Sequence, residues 1–349
     1  MTSNRKRRTS RNLYDLPLPS LFGDDVMSRD GGSDDDAVFE VVRKVVDEQR
    51  SMMEREQADA GIEPMATVER GEVLRFMSFG SGSSGNCAYL GTSSGGVLID
   101  AGVDPKVVLD ALHRCGIDVS TIAGIILTHD HADHVRYAYS ILRHNKHMKL
   151  YATLGALKGL LRRHNISRRI KDYHTPIFKE TPFAVGPLSI TAFATSHDGS
   201  DNVGFSISGP GSIFVVMTDS GIITDRADYY LRRANDIMIE SNYDRDMLLA
   251  GPYPEYLKQR ILKDTGHLDN AVCADYVSRI ASQQLRNLFL CHLSEDNNTP
   301  DKALTATRDA LMAKGFVVGD GSGSLDDRAA QIHLQALPRY DVTDLVLLR

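Results

Sequence analysis

The chain has 349 residues, 42% of them apolar and 25% charged, with a net charge of −6. That length fits one large domain or two smaller ones, and the composition is that of a globular protein able to bury a sizeable core. The overall charge gives no global argument for nucleic acid, and four widely spaced cysteines without a CxxC pair (Cys87, Cys115, Cys273, Cys291) argue against a disulfide framework.

The opening MTSNRKRRTSRN is basic, but no apolar run of signal-peptide length follows it. No stretch of about 18 apolar residues could span a bilayer, so a cytoplasmic protein is expected. Residues 1–36 pass from basic to acidic and end in GGSDDD, which predicts a disordered tail. Residues 37–70 open with AVFEVVRKVVDEQRSMMEREQA, where Val38, Val41, Val42, Val45 and Val46 fall at helical spacing opposite a charged face. An amphipathic helical extension is expected there, docking on the body of the protein or on a protein partner. A folded domain is expected over 71–349.

Within it, VLRFMSFG, NCAYLG and GVLIDAG are short apolar runs between Gly and Ser and read as strands. A helix over 104–115, the buried strand GIILT and a helix beginning at Asp133 follow. KLYAT, PLSITAFAT, VGFSIS and SIFVVMT continue the strands. Next come a helix over 224–233, the strand DIMIES, helices over 251–263 and 267–283, the strand NLFLCHL, a helix over 301–314 and the strand AQIHLQAL. Strand runs giving way to strand–helix alternation suggest a layered α/β sandwich.

The stretch GIILTHDHADHV, residues 124–135, drops from apolar residues into three histidines and two aspartates. Crowding these groups without a cation costs stability. Zn²⁺ and similar metals take imidazole nitrogens and carboxylate oxygens at about 2.0–2.2 Å. His129 and His131 can converge on one ion, and Asp133 with His134 on a second. Two ions sharing a water need about seven protein ligands. The missing three are at the ends of later apolar runs: His197, Asp219 and His292. Each alone reads as an ordinary polar residue after a strand; together they read as a metal site.

The pattern His129-x-His131-x-Asp133-His134, then His197, Asp219 and His292, resembles the metallo-β-lactamase superfamily over roughly residues 73–340. The resemblance implies an αββα sandwich with two divalent ions, Zn²⁺ or Mn²⁺, at one edge. His129, His131 and His197 would hold one ion, Asp133, His134 and His292 the other, with Asp219 between them. SFGSGSSGN, LIDAG, ESNYD, GHLDN and HLSEDNN are together similar to the YycJ-like (WalJ) branch, regarded as DNA exonucleases. The chain departs from that branch at Tyr243, where His is frequent, and at Asp269, where Ser is; both fall near the expected substrate edge.

Two ions about 3.5–4 Å apart acidify a shared water and offset charge on the electrophile. A phosphodiester also needs a proton on its leaving alkoxide. His267, in GHL at an expected helix start, is the candidate general acid and Glu240 its orienting partner; with Asp133 they form the candidate catalytic set. Helix capping and an ordinary strand-end acid are the plainer alternatives. SGSSGN lacks a following GK[ST] and is no P-loop. It is either a plain hairpin or a loop whose Ser81, Ser83, Ser84 or Asn86 approaches phosphate. From His134 to Lys171 there are ten Lys or Arg, Arg136 first, and no acid. A one-sign segment beside a hydrolytic site suggests a nucleic-acid backbone. The expected function is therefore a dinuclear phosphodiesterase, an exonuclease on DNA rather than RNA. The alternatives are a small-molecule hydrolase (thioesterase or lactonase) and a metal-free binding module.

Overall fold

The structure, a computed structural model, describes residues 72–322 and 327–348. The expected tail 1–36 and helical extension 37–70 lie outside the described residues. One sheet is built from β1 (Leu74–Gly80), β2 (Cys87–Gly91), β3 (Gly96–Ile99), β4 (Ile122–Ile126), β5 (Lys149–Ala152) and β6 (His174–Pro176). The other is built from β7 (Phe183–Val185), β8 (Leu188–Ala194), β9 (Val203–Gly209), β10 (Ser212–Met217), β11 (Asp236–Glu240), β12 (Asn287–Cys291), β13 (Val318–Gly319) and β14 (Ile332–Ala336). The closing strand β15 (Val346–Leu348) returns to the first sheet. The orders are β15-β1-β2-β3-β4-β5-β6 and β13-β14-β12-β11-β10-β9-β8-β7.

Alternation along the strands sends one set of side chains inward and the other outward. Leu74, Phe76, Leu90, Ile99 and Ile126 of the first sheet pack on Ile190, Phe205, Phe214, Val216 and Phe289 of the second. The outer face of the first sheet, with Met77, Tyr89, Leu98 and Ile125, is covered by helices Pro105–Arg114, Ala138–His144 and Leu154–Arg163. Val215, Met217, Ile237, Ile239 and Leu290 of the second sheet are covered by helices Asp225–Leu231, Asn270–Ile280 and Pro300–Ala313. The result is the expected αββα sandwich. β10, β11, β12 and β14 are parallel neighbours, as are β3, β4, β5 and β6. Buried on both faces, such strands read as unbroken apolar runs, which is why GIILT, SIFVVM and NLFLC stand out.

Several expected elements differ in detail. The helix expected from Asp133 is a single turn, Ala132–Val135, followed by a separate helix, Ala138–His144. The break arises because Ala101 bonds the backbone on both sides of it: its N–H donates to His134 O (2.7 Å) and its carbonyl accepts from Tyr137 N (2.9 Å). The helix expected over 251–263 is shortened to Glu255–Ile261 by Pro252 and Pro254, with a further helix at Arg245–Ala250. The helix expected from residue 267 starts at Asn270, capped by the Asp269 carboxylate on Ala271 N and Val272 N.

Gly102, which follows β3, packs flat against the backbone of the metal-motif turn. A methyl group there would overlap the carbonyl oxygen of Asp133, and it would also press on the backbone nitrogen of Asn86. Gly102→Ala is therefore expected to destabilise the metal-free protein by about 1–3 kcal/mol, read from urea denaturation, and to weaken metal binding.

Candidate metal centre

The site forms where the segments after β3, β4, β8, β10 and β12 meet at one end of the sandwich. Asp100 follows β3 with φ 60°, Asp219 follows β10 with φ 49° and His292 follows β12 with φ 54°. A left-handed backbone is costly for non-glycine residues, and such strain collects at functional sites. Asp100 accepts from Thr128 N (2.8 Å) and from Thr128 Oγ1 (2.8 Å to Oδ2), which fixes the loop just before His129. The turn Ala132–Val135 then presents Asp133 and His134.

The outer nitrogen of each imidazole in the cluster faces an oxygen. His134 Nδ1 donates to Asp100 Oδ2 (2.7 Å), His197 Nδ1 to the Gly266 carbonyl (2.9 Å) and His292 Nδ1 to Glu240 Oε1 (3.0 Å). His129 Nδ1 lies 3.0 Å from Thr128 Oγ1, and His131 Nε2 lies 3.3 Å from Asp198 Oδ1. The opposite nitrogens face one another. His131 Nδ1 and His197 Nε2 are 3.1 Å apart. Asp133 Oδ2 is 3.3 Å from His292 Nε2 and 3.5 Å from His134 Nε2. Asp219 turns Oδ2 to His134 Nε2 (3.2 Å) and Oδ1 to His197 Nε2 (3.7 Å), so its two oxygens address the two groups of donors.

These spacings fit metal ions. Two ligands about 2.1 Å from one tetrahedral ion lie roughly 3.4 Å apart. Within each of the groups His129–His131–His197, Asp133–His134–His292 and His129–His134–Asp219, the donor atoms lie within 4.8 Å of one another. His129 Nε2 is buried and has no hydrogen-bond partner among the described residues, the mark of an atom reserved for something else. The group Asp219–Glu240–His267–His292 is equally close but reads as a hydrogen-bond network. Its Glu240 carboxylate already accepts from His267 Nδ1 (2.7 Å), His292 Nδ1 (3.0 Å), Ser220 N (2.9 Å) and Leu268 N (3.2 Å).

Charge follows from this packing. Burial holds His129 well below the usual imidazole range, and His134 adds to the effect. Burial, reinforced by His197, brings His131 down to about 4. At His292 burial favours the neutral ring, but Asp219, Asp133 and Glu240 outweigh it and push the ring up to about 10. At Asp219 burial opposes ionisation, yet His292 and His134 hold the carboxyl well below its usual range.

The structure thus brings together His129, His131, Asp133, His134, His197, Asp219 and His292, with Glu240 and His267 alongside. His267 precedes its helix instead of opening it, and its N–H donates to Ile261 O (3.1 Å). Asn86, expected at the substrate, is buried: its Nδ2 lies 3.1 Å from Asp133 Oδ2 and 3.0 Å from His134 Nε2. It touches two of the candidate ligands. Ser83 is exposed, and Ser84 and the exposed Arg136 lie at the rim, where Arg136 Nη1 donates to Ser84 O (3.0 Å). The basic segment is split. Arg162 and Arg163 reach Ser200 Oγ and the Asp198 carbonyl beside the centre, whereas Lys146 and Lys149 precede and open β5, at the sheet edge away from the ligand-bearing strand ends. Sequence reasoning missed Asp100 and Asp198 as site residues, although Asp100 lies in LIDAG and Asp198 directly follows His197. Asp198 is gripped by Arg260 through Nε (2.6 Å) and Nη2 (3.0 Å).

A family model described as the beta-lactamase superfamily domain matches residues 96–292. The chain belongs to the metallo-β-lactamase superfamily. Within it the chain is YycJ/WalJ-like. It is 31% identical over 249 residues to exodeoxyribonuclease WalJ of Streptococcus pneumoniae, covering 70% of this chain and 91% of that one. It is 29% identical over 256 residues to exodeoxyribonuclease YycJ of Bacillus anthracis, covering 71% and 92%. The fold is also that of the metallo-β-lactamase fold protein YhfI from Bacillus subtilis, with a TM-score of 0.53 at 14% identity, over 78% of this chain and 99% of that one. The chain is a metal-dependent hydrolase. Among the described residues no helix is long and apolar enough to cross a membrane.

Carboxylates behind metal-binding histidines typically contribute 10–100-fold in metal affinity or activity. Asp198→Ala is expected to weaken metal binding by about that factor, measured by competition with a chromophoric chelator. A second expectation concerns pH. His131 titrates at about 4 in the fold against the usual 6.5, so between those values the unfolded chain binds the extra proton. The metal-free protein should lose stability as pH falls through that window. His292 acts in the opposite sense, its contribution complete below 6.5 and lost as pH rises through about 10. Thermal unfolding followed across the acid window should show a shallower pH slope in His131→Ala.

Proposed function

We propose that this chain is a dinuclear exonuclease that hydrolyses phosphodiester bonds at DNA ends, RNA being the less favoured substrate. His129, His131 and His197 would hold one Zn²⁺ or Mn²⁺ ion, Asp133, His134 and His292 the other, and Asp219 would bridge them. When bound, such a pair acidifies water and offsets negative charge developing on the phosphate. Asp133, facing both the cluster and the open side, belongs with the catalytic set.

The observation that carries the reading is the pairing of His267 with Glu240 beside the donor cluster. Glu240 can only accept from His267 Nδ1, which fixes the tautomer and leaves Nε2 as the working atom. Ser220 N and Leu268 N pin the second carboxylate oxygen. His267 keeps a side-chain exposure of 15%, in contrast to the fully buried Glu240. An imidazole so oriented, with one edge open to solvent, suits protonation of a leaving alkoxide. A thioester has less need of it, because a thiolate with a pKa near 8.5 leaves unaided. The names of the YycJ and WalJ relatives favour the same substrate class. Free thiols at Cys87, Cys115, Cys273 and Cys291 suit a reducing, cytoplasmic setting.

Loss of a positioned general acid costs about 10²–10⁴ in rate. His267→Ala should therefore lower kcat on end-labelled DNA by about that factor while the protein still binds its metal, assayed beside RNA and a thioester. Turnover of the thioester with DNA and RNA left intact would overturn the proposal in favour of a small-molecule hydrolase.

A further inference from the structure

After β14 the chain leaves the second sheet and crosses to the first, where it pairs with β1 as β15. On the way it runs beside the Ser81–Asn86 loop: Ser81 N donates to Pro338 O (3.1 Å), and Thr343 N donates to Ser78 O (2.9 Å). This crossing delivers Arg339 to the rim of the metal centre. Arg339 donates Nη1 to Ser84 Oγ (3.2 Å) and Nη2 to the Leu293 carbonyl. Its guanidinium lies flat on Gly82, where a Cβ would meet Nη1 at 3.0 Å and Cζ at 3.1 Å; Gly82 has φ 149°. From the other side of the loop, Arg136 donates Nη1 to Ser84 O (3.0 Å).

Two guanidinium groups thus converge on one serine. Among the described residues neither has a carboxylate partner, whereas Arg163, Arg226, Arg260 and Arg286 are all ion-paired. Like charges brought together without counter-ions raise the local positive potential. The loop between them is tied to the candidate ligands, since Ser81 Oγ accepts from His292 N (2.9 Å) and Asn86 Nδ2 touches Asp133. Both groups keep N–H donors beyond those used on Ser84 and Leu293, in the fork geometry that suits phosphate oxygens. Tyr340, 63% exposed, lies beside them with its ring centroid 5.8 Å from Arg339 Cζ, a face on which an unpaired base can stack. Its hydroxyl donates to Glu295, which among the described residues forms no ion pair with Arg339.

We propose that Arg136 and Arg339 clamp, across Ser84, the backbone phosphate of the nucleotide adjoining the scissile bond on a single-stranded end. This rests on the nuclease reading above. The test uses the metal-loaded full chain with an end-labelled single-stranded oligonucleotide, comparing wild type with Arg136→Gln, Arg339→Gln and Arg339→Lys at several salt concentrations. Losing one charge-assisted contact corresponds to about a tenfold change. Each Gln variant should raise KM about tenfold, with a much smaller change in kcat. Each should also make the salt dependence of log KM shallower by about 0.7, the single-strand value per phosphate contact. Arg339→Lys should regain the salt slope but only part of the affinity. Wild-type KM and slope in both Gln variants would overturn the clamp while leaving the nuclease reading intact. So would a lowered Tm and kcat in Arg339→Gln with KM unmoved, which marks a structural strut. A wild-type protein that hydrolyses bis(p-nitrophenyl) phosphate or a thioester but no oligonucleotide would sink the nuclease reading itself.

Discussion

Everything at the centre depends on one constraint: the outward nitrogen of each imidazole ring faces an oxygen, hydrogen-bonded in four of the five rings and 3.3 Å from the Asp198 carboxylate in His131, so that the inward nitrogen is the one left over. Asp100 does this directly for His134 and, through Thr128, braces His129. Glu240 does it for His292, the Gly266 carbonyl for His197 and Asp198 for His131. Without such anchors five imidazoles could rotate apart and relieve their crowding, and the donor set would not exist. The anchors come from different segments after different strands, so the sandwich as a whole acts as the jig.

Glu240 has two obligations within that scheme. Its Oε1 serves His292, a candidate ligand, and His267, the candidate proton donor, from one buried position. Burial opposes its ionisation, but the His267 beside it holds the carboxyl below its usual range. A candidate metal ligand and the candidate proton donor therefore share one carboxylate, which is the physical reason that Glu240 and the GHL segment lie in the same site although they are far apart in the chain.

Much of this was legible in the sequence, for a specific reason. β4, β10 and β12 are buried on both faces, so their apolar runs are continuous and end abruptly where His129, Asp219 and His292 begin. The orienting residues carry no such signal. Asp198 and Asp100 look like any acid after a strand, and only the folded chain shows which imidazole each one meets. The break at Tyr137 depends on a backbone partner, Ala101, from a distant loop. The short strands β6, β7, β13 and β15 have too few residues to display a period. The helix Leu154–Arg163, capped by Thr153, was hidden because its basic residues drew notice as charge and its buried Ala156, Leu157 and Leu160 did not.

The loops around the centre are sewn together by main chain. Asn86 N donates to Asp133 O (2.8 Å), Gly102 N to Asn86 O (2.8 Å) and Ala101 N to His134 O (2.7 Å). Ordering such loops costs about 1–2 kcal/mol of backbone entropy per residue. Here that loss is incurred once, when the chain folds, and not again when an ion arrives. Capture of the cation is then closer to filling a socket than to assembling one, and selection among substrates falls to what can physically enter the rim.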